Sequence, residues 1–435
     1  MDSTLRAVAE RIQEASALRM IGDVRDVIGL VVESRGPAGV AVGDVCLIRT
    51  GGIAIEAEVI GFRAGRVLLM PLGHLSGVEV GSEVIPLGRP LSVRVGDDVL
   101  GRVLDGLGRP LDGKPPVAGR AWALVHRTPP NPLSRPPIHS PLWTGVRAVD
   151  GCLTLGRGQR IGIMSGSGVG KSTLLGMLAR GAQVDTVVVC LVGERGREVN
   201  EFIEGHVASS LARAAVIVAT SDEPPLVRAT APLVATAVAE WFRDQGHEVL
   251  LLMDSVTRWM MAMREVGLAS GEPPATRGYT PSAFAQLPRL LERAGTAPRG
   301  CITALYTVLV EGDDVMDPVA DAARSILDGH IVLSRQLAER GWYPPIDILQ
   351  SLSRVMPLVT TAEHRGLAAD VRDCLAALRE AEDLLNLGAY SPGANPRIDR
   401  ARKLLPALEQ FLRQEAGECT PPDETLASLR RAVGR

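Results

Sequence analysis

The sequence predicts an α/β chain made of a small N-terminal β-barrel, a central domain on a mostly parallel sheet, and a C-terminal helical domain. Three observations carry that reading. Short β-branched runs separated by glycine turns fill residues 22–89, continuous Val/Ile/Leu runs alternate with helix-like stretches between 144 and 356, and from about 361 the chain becomes rich in Leu, Ala and Arg. The expected divisions are 1–20, 21–90, 91–360 and 361–435.

Residues 3–18 set Leu5, Val8, Ile12 and Ala15 on one helical face, and Ser3 can cap the first turn. Such a helix either packs on its own domain or docks a partner. In the next segment the runs 27–32, 45–48, 53–60 and 66–70 have the spacing of a small barrel. A barrel that binds single-stranded nucleic acid needs exposed aromatic platforms, and this one offers only Phe62, so a structural or oligomerising collar is expected. Residues 89–142 carry so many Gly and Pro that an extended wrap between domains is expected.

The strand candidates of the core are 160–164, 186–192, 215–220, 249–253, 302–310 and 330–333. Continuous apolar strands with helices between them indicate a sheet covered on both faces, with ligands beyond the carboxyl ends of the strands. After 361 the helical pattern breaks once, at 388–393.

Composition narrows the function classes. A net charge of −3 provides no whole-chain basic field for nucleic acid. Cys46, Cys152, Cys190, Cys301, Cys374 and Cys419 lack metal-site spacing, so free thiols in a reducing compartment are expected. With no run of 18 apolar residues and no apolar leader, a soluble intracellular protein is expected.

The chemistry starts at Ser165-Gly166-Ser167-Gly168-Val169-Gly170-Lys171-Ser172-Thr173, between a strand candidate and a helix candidate. The glycines let successive N–H groups converge on a phosphate, Lys171 supplies a point charge, and the Ser172 hydroxyl suits Mg²⁺. Ser165 stands where the G-x-x-x-x-G-K-[ST] pattern has Gly. Of 47 basic residues only Lys114, Lys171 and Lys403 are lysine, so a lysine kept in this loop points to a need for a compact charge. The run 249–253 ends in Asp254, suited to hold Mg²⁺, and 186–192 is followed by Glu194, suited to orient an attacking water. Arg354 closes a Ser-rich strand end.

The phosphate loop, the stretch 193–198 (Gly-Glu-Arg-Gly-Arg-Glu), the aspartate strand, 281–284 and 344–354 occur in the order seen in catalytic subunits of rotary ATP synthases and their relatives. The stretches 317–321, 325–335 and 411–414 resemble the type III protein export ATPases of flagella and injectisomes, and 265–279 with 386–390 are closer to the flagellar branch. The similarity covers almost the whole chain. It implies a RecA-like P-loop ATPase core that hydrolyses ATP with Mg²⁺.

The resemblance also implies roles. Lys171 and Ser172 match the nucleotide-loop positions, Glu194 the catalytic carboxylate, Arg195 a neighbouring phosphate-site arginine, and Asp254 the Mg²⁺-side aspartate. Tyr343 matches the aromatic that stacks on adenine, and Arg354 the arginine finger that reaches the γ-phosphate of a neighbouring subunit. A hexameric ring follows, with a stator-like regulator on the N-terminal helix and a central stalk protein at pore loop 265–280. Export substrates, their chaperones and an inner-membrane export gate are the further partners implied, with the protein cytoplasmic and peripheral to that apparatus. Three other functions share parts of this pattern. The export-type C-terminus disfavours a proton-driven ATP synthase subunit, the aromatic-poor barrel disfavours a nucleic-acid translocase, and Glu194 disfavours a non-catalytic nucleotide-binding scaffold.

Overall fold

The computed structural model describes residues 20–310 and 317–435. The helix expected over 3–18, and with it the regulator site, lies outside the described residues.

Six antiparallel strands, Gly22–Ile28, Val31–Arg35, Asp44–Thr50, Ile53–Arg63, Arg66–Pro71 and Glu83–Pro90, close into a barrel. Alternate residues such as Val24, Val32, Ile48, Val59 and Leu69 fill its interior, as the two-residue period of a strand requires. Two details differ from the sequence reading. The run 27–32 is not one strand but a hairpin, in which Val27 pairs with Val32, Ile28 pairs with Val31, and Gly29 turns at φ +59°. The last strand, Glu83–Pro90, carries two prolines that disguise it in the sequence.

The central sheet runs in the order Ile346–Ser353, Gly329–Leu333, Arg160–Ser165, Cys301–Leu309, Glu248–Asp254, Thr186–Val192, Ala214–Ala219, Arg102–Asp105. Its pairings are parallel except the first, and the short strand Gly295–Thr296 adds antiparallel to Cys301–Leu309. The supposed wrap therefore contributes a strand: Arg102–Asp105 forms the far edge against Ala214–Ala219. Side-chain alternation builds two cores from the same strands. Val188, Cys190, Val192, Leu251 and Met253 face the helix Pro225–Asp244 side, whereas Val187, Val189, Leu191, Leu250 and Leu252 join the cluster that includes the helix Lys171–Gly181 and the C-terminal helices. The apolar runs show no polar alternation because both faces are covered.

The C-terminal helices Ala362–Glu380, Pro396–Leu412 and Pro422–Ala432 pack Leu367, Val371, Phe411 and Leu429 into that second cluster. Asp150, fully buried, accepts from Thr144 N at 2.9 Å, Thr144 Oγ1 at 2.7 Å and Gly145 N at 2.9 Å, shaping the turn on which the Gln414 amide docks. Arg147 completes the junction by donating to the Phe411 carbonyl at 3.0 Å and Thr420 Oγ1 at 3.1 Å. The cysteines form no disulfide; five are buried and Cys419 is exposed. Among the described residues no helix is long and apolar enough to cross a membrane.

Candidate active site

Strand Arg160–Ser165 runs into the glycine loop, and the loop opens helix Lys171–Gly181. Gly168 and Gly170 take φ of +75° and +94°, a region that penalises any side chain. Ser165 does not take part in the turn. It is the last residue of the strand, paired with Leu309 and Leu333, and its backbone is not left-handed. Its tolerance in place of Gly thus comes from an extended conformation, not from small size in a bend. Its hydroxyl is buried without a hydrogen-bond partner among the described residues. Val169 is buried beneath the loop, whereas Ser167 and Ser172 are exposed on it.

Lys171 Nζ reaches two carboxylates. It bonds Asp254 Oδ1 closely and lies 3.4 Å from Glu194 Oε1, and the three side chains are only 14%, 4% and 11% exposed. Asp254 ends its strand beside Thr307, whose hydroxyl donates to Asp254 Oδ1 at 2.7 Å. Glu194 follows Gly193, which turns at φ +68° at the end of strand Thr186–Val192. Arg258, on the helix that follows Asp254, donates to the Gly193 carbonyl, and its Nε lies 3.4 Å from Glu194. Desolvation raises the pKa of Glu194 above the usual carboxylate range; Lys171 opposes that shift, and Asp254 and a hydrogen bond with Glu198 add to it. The same hydrogen bond lowers the pKa of Glu198.

Ser172, Glu194, Glu198, His206 and Asp254 line one small cavity of about 150 Å³. No group of three or more His, Cys, Asp and Glu among the described residues is arranged to hold a metal by itself. A hydroxyl and one carboxylate beside a phosphate cradle are nevertheless the oxygen donors with which Mg²⁺ is held when substrate phosphates supply further ligands, so Ser172 and Asp254 fit that ion. On the other side of the loop, Gly170, Thr173, Met177, Tyr343, Pro345 and Arg413 line an open recess of about 500 Å³. A Cβ on Gly170 would stand 3.4 Å from the Tyr343 ring, which is half-exposed along the recess. The flat ring on an open slot suits stacking of a base.

Two arginines lie apart from this cluster. The guanidinium of Arg195 points to solvent, 76% exposed, and pairs with Glu198 at 3.2 Å. Arg354 is exposed beyond the edge strand Ile346–Ser353; its N–H donates to the Asp328 carbonyl, and its guanidinium has no partner among the described residues. Sequence reasoning missed Arg258 and Thr307. The spacing of Arg258, one helical turn after Asp254, was a usable signal; Thr307 reaches the site only through strand pairing, which leaves no local trace.

Family models match along the chain. The ATP synthase alpha/beta family nucleotide-binding domain covers 145–353, the beta-barrel domain of that family covers 24–88, and the T3SS EscN ATPase C-terminal domain covers 360–431. The chain is 49% identical over 433 residues to a flagellum-specific ATP synthase of Bacillus subtilis, covering 99% of both. It is also 49% identical to a type 3 secretion system ATPase of Xanthomonas euvesicatoria, covering 94% of this chain and 93% of that one. The assembled ATPase EscN of the enteropathogenic E. coli type III secretion system superposes with a TM-score of 0.90 at 46% identity, over 95% of this chain and all of that one. The same ATPase in complex with its central stalk EscO gives 0.89 at 45% identity, with the same coverage. The chain therefore belongs to the ATP synthase alpha/beta family, among its flagellum-specific and type 3 secretion system ATPases.

Proposed function

We propose that this chain is the ATP hydrolase that energises type III protein export, promoting delivery, chaperone release or unfolding of export substrates. The observation that carries the reading is Lys171, placed on a phosphate loop and shared between Asp254 and Glu194. A lysine held by two carboxylates is poised to exchange them for phosphate oxygens. When it does, Glu194 is left free to orient a water and accept its proton, and its raised pKa suits that task. Ser172 and Asp254 would hold Mg²⁺, which when bound would offset charge on the phosphates, and Tyr343 is placed to stack on the adenine.

Arg354 completes the site in trans. Its guanidinium, exposed and without a partner among the described residues, is what an arginine finger needs before a neighbouring copy is seated; the assembled EscN supports an oligomer, and the hexameric ring is part of this proposal. The complex of EscN with its central stalk supports a stalk partner for this chain; loop 265–280 is the docking site this proposal gives it. The regulator at residues 1–20, the inner-membrane export gate and a cytoplasmic location belong to the same proposal, as do the boundaries at 20, 90 and 360. Identity is equal to relatives from flagella and from injectisomes. The resemblance of 265–279 and 386–390 to the flagellar branch favours that system, and restored motility in a flagellar export ATPase deletion strain is the expected result.

The activity is tested by Glu194→Gln. It is expected to bind ATP like the wild type and to lose hydrolysis by roughly 10² to 10⁴, the range of general-base catalysis. Hydrolysis within a factor of two of wild type would refute the role.

A further inference from the structure

Arg335 opens the short helix Arg335–Glu339, on a segment without an assigned role. Its Nη2 donates to the carbonyl of Ser167, inside the phosphate loop, at 3.2 Å. A Cβ on Gly166 would stand 3.0 Å from that same Nη2, so the guanidinium lies close against the loop backbone. The Ser167–Gly168 peptide is trans, and a planar trans peptide points its C=O and its N–H in opposite directions. Holding the Ser167 carbonyl toward Arg335 therefore turns the Gly168 N–H away from Arg335. Gly168 sits at φ +75° with no Cβ, and nothing in its own conformation prevents the peptide from flipping.

Arg335 is itself held from outside the loop. The Ser334 N–H donates to the Pro345 carbonyl at 2.8 Å, closing 334–345 into a lobe that carries Tyr343 to Gly170. Three contacts fasten that lobe to the C-terminal helical region: Arg340 pairs with Glu382 at 2.7 Å, Arg413 lies 4.8 Å over the Trp342 ring, and Gln414 N–H donates to the Tyr343 carbonyl at 2.9 Å.

We propose that Arg335 is a positioning residue for phosphate binding: by fixing the Ser167–Gly168 peptide it keeps the Gly168 N–H aimed into the cradle. The inference rests on the reading of 165–173 as a nucleotide site. The test measures the dissociation constant of a fluorescent ADP analogue, together with kcat and KM for ATP, in Arg335→Ala, Arg335→Lys, Arg335→Met and, as control, Lys171→Ala. Loss of one exposed charge-assisted hydrogen bond is expected to weaken ADP binding about three- to ten-fold and to raise KM in step. Arg335→Lys, which keeps a cationic donor, restores most of the affinity. Should Arg335→Ala melt well below the wild type, Arg335→Met, which keeps the length of the side chain but has no donor, gives the same readout. Wild-type affinity in Arg335→Ala, or Lys as weak as Ala, overturns the proposal. Wild-type affinity in the Lys171→Ala control overturns the nucleotide-site reading instead.

Discussion

Lys171 neutralises the two carboxylates beside it, Asp254 and Glu194, so Lys171→Met should cost stability as well as nucleotide binding. The substitution keeps the length of the side chain but removes the cation shared by Asp254 and Glu194, whose side chains are 4% and 11% exposed. Removing one partner from a buried ion pair costs about 3 to 5 kcal/mol; the cavity beside these groups admits water, which brings the expected loss to about 2 kcal/mol near pH 8. The pH dependence has a definite sign. The pKa of Glu194 is already raised above its unfolded value by desolvation, with Lys171 as the largest opposing influence. Deleting that influence raises it further. A carboxyl that holds its proton more tightly when folded makes stability fall as pH rises from the unfolded pKa through the folded one. The defect should therefore be largest at pH 8 and shrink toward pH 5.5, and Lys171→Met with Asp254→Asn should recover much of it. Urea denaturation of the three proteins at both pH values is the assay. Equal midpoints for wild type and Lys171→Met at pH 8, or a defect that grows toward acid, would refute the argument.

Two further outcomes follow from the same geometry. The acid limb of kcat should lie above the ordinary glutamate value of 4.5, because Glu194 must be ionised to act and its pKa is raised; a profile flat down to 4.5 would contradict the assignment. In the core, Arg293 bonds Glu240 at 2.9 and 2.8 Å and the Val125 carbonyl at 2.8 Å, all buried. Arg293→Met should destabilise by about 4 kcal/mol, with Arg293→Met/Glu240→Met recovering most of it; a loss below about 1 kcal/mol in a denaturant titration would refute that estimate.

The parts legible in the sequence were those written in consecutive residues. The glycine loop announces itself because each position has a local backbone duty, and Asp254 because an apolar strand ends in a carboxylate. Glu194 was legible for the same reason. What escaped was set by pairing between distant segments. Thr307 meets Asp254 because its strand lies beside Glu248–Asp254, with Tyr306 opposite Met253. Arg335 meets Ser167 because Gly329–Leu333 pairs with Arg160–Ser165. Two strands were hidden by their own composition: Glu83–Pro90 by its prolines, and Arg102–Asp105 by the glycines around it. Reading 27–32 as one strand gave too little weight to a glycine that can turn in place.

Under the proposed mechanism half of each active site comes from a neighbouring copy, and mixing two inactive variants probes that sharing. Lys171→Ala retains Arg354 but has no working loop, whereas Arg354→Ala retains the loop but has no finger. In rings assembled from an equal mixture, about a quarter of the interfaces place an intact loop against an intact Arg354. ATP hydrolysis well above either variant alone is the expected result, appearing as the rings form. A mixture that co-assembles yet stays at the level of its inactive parents would contradict the claim.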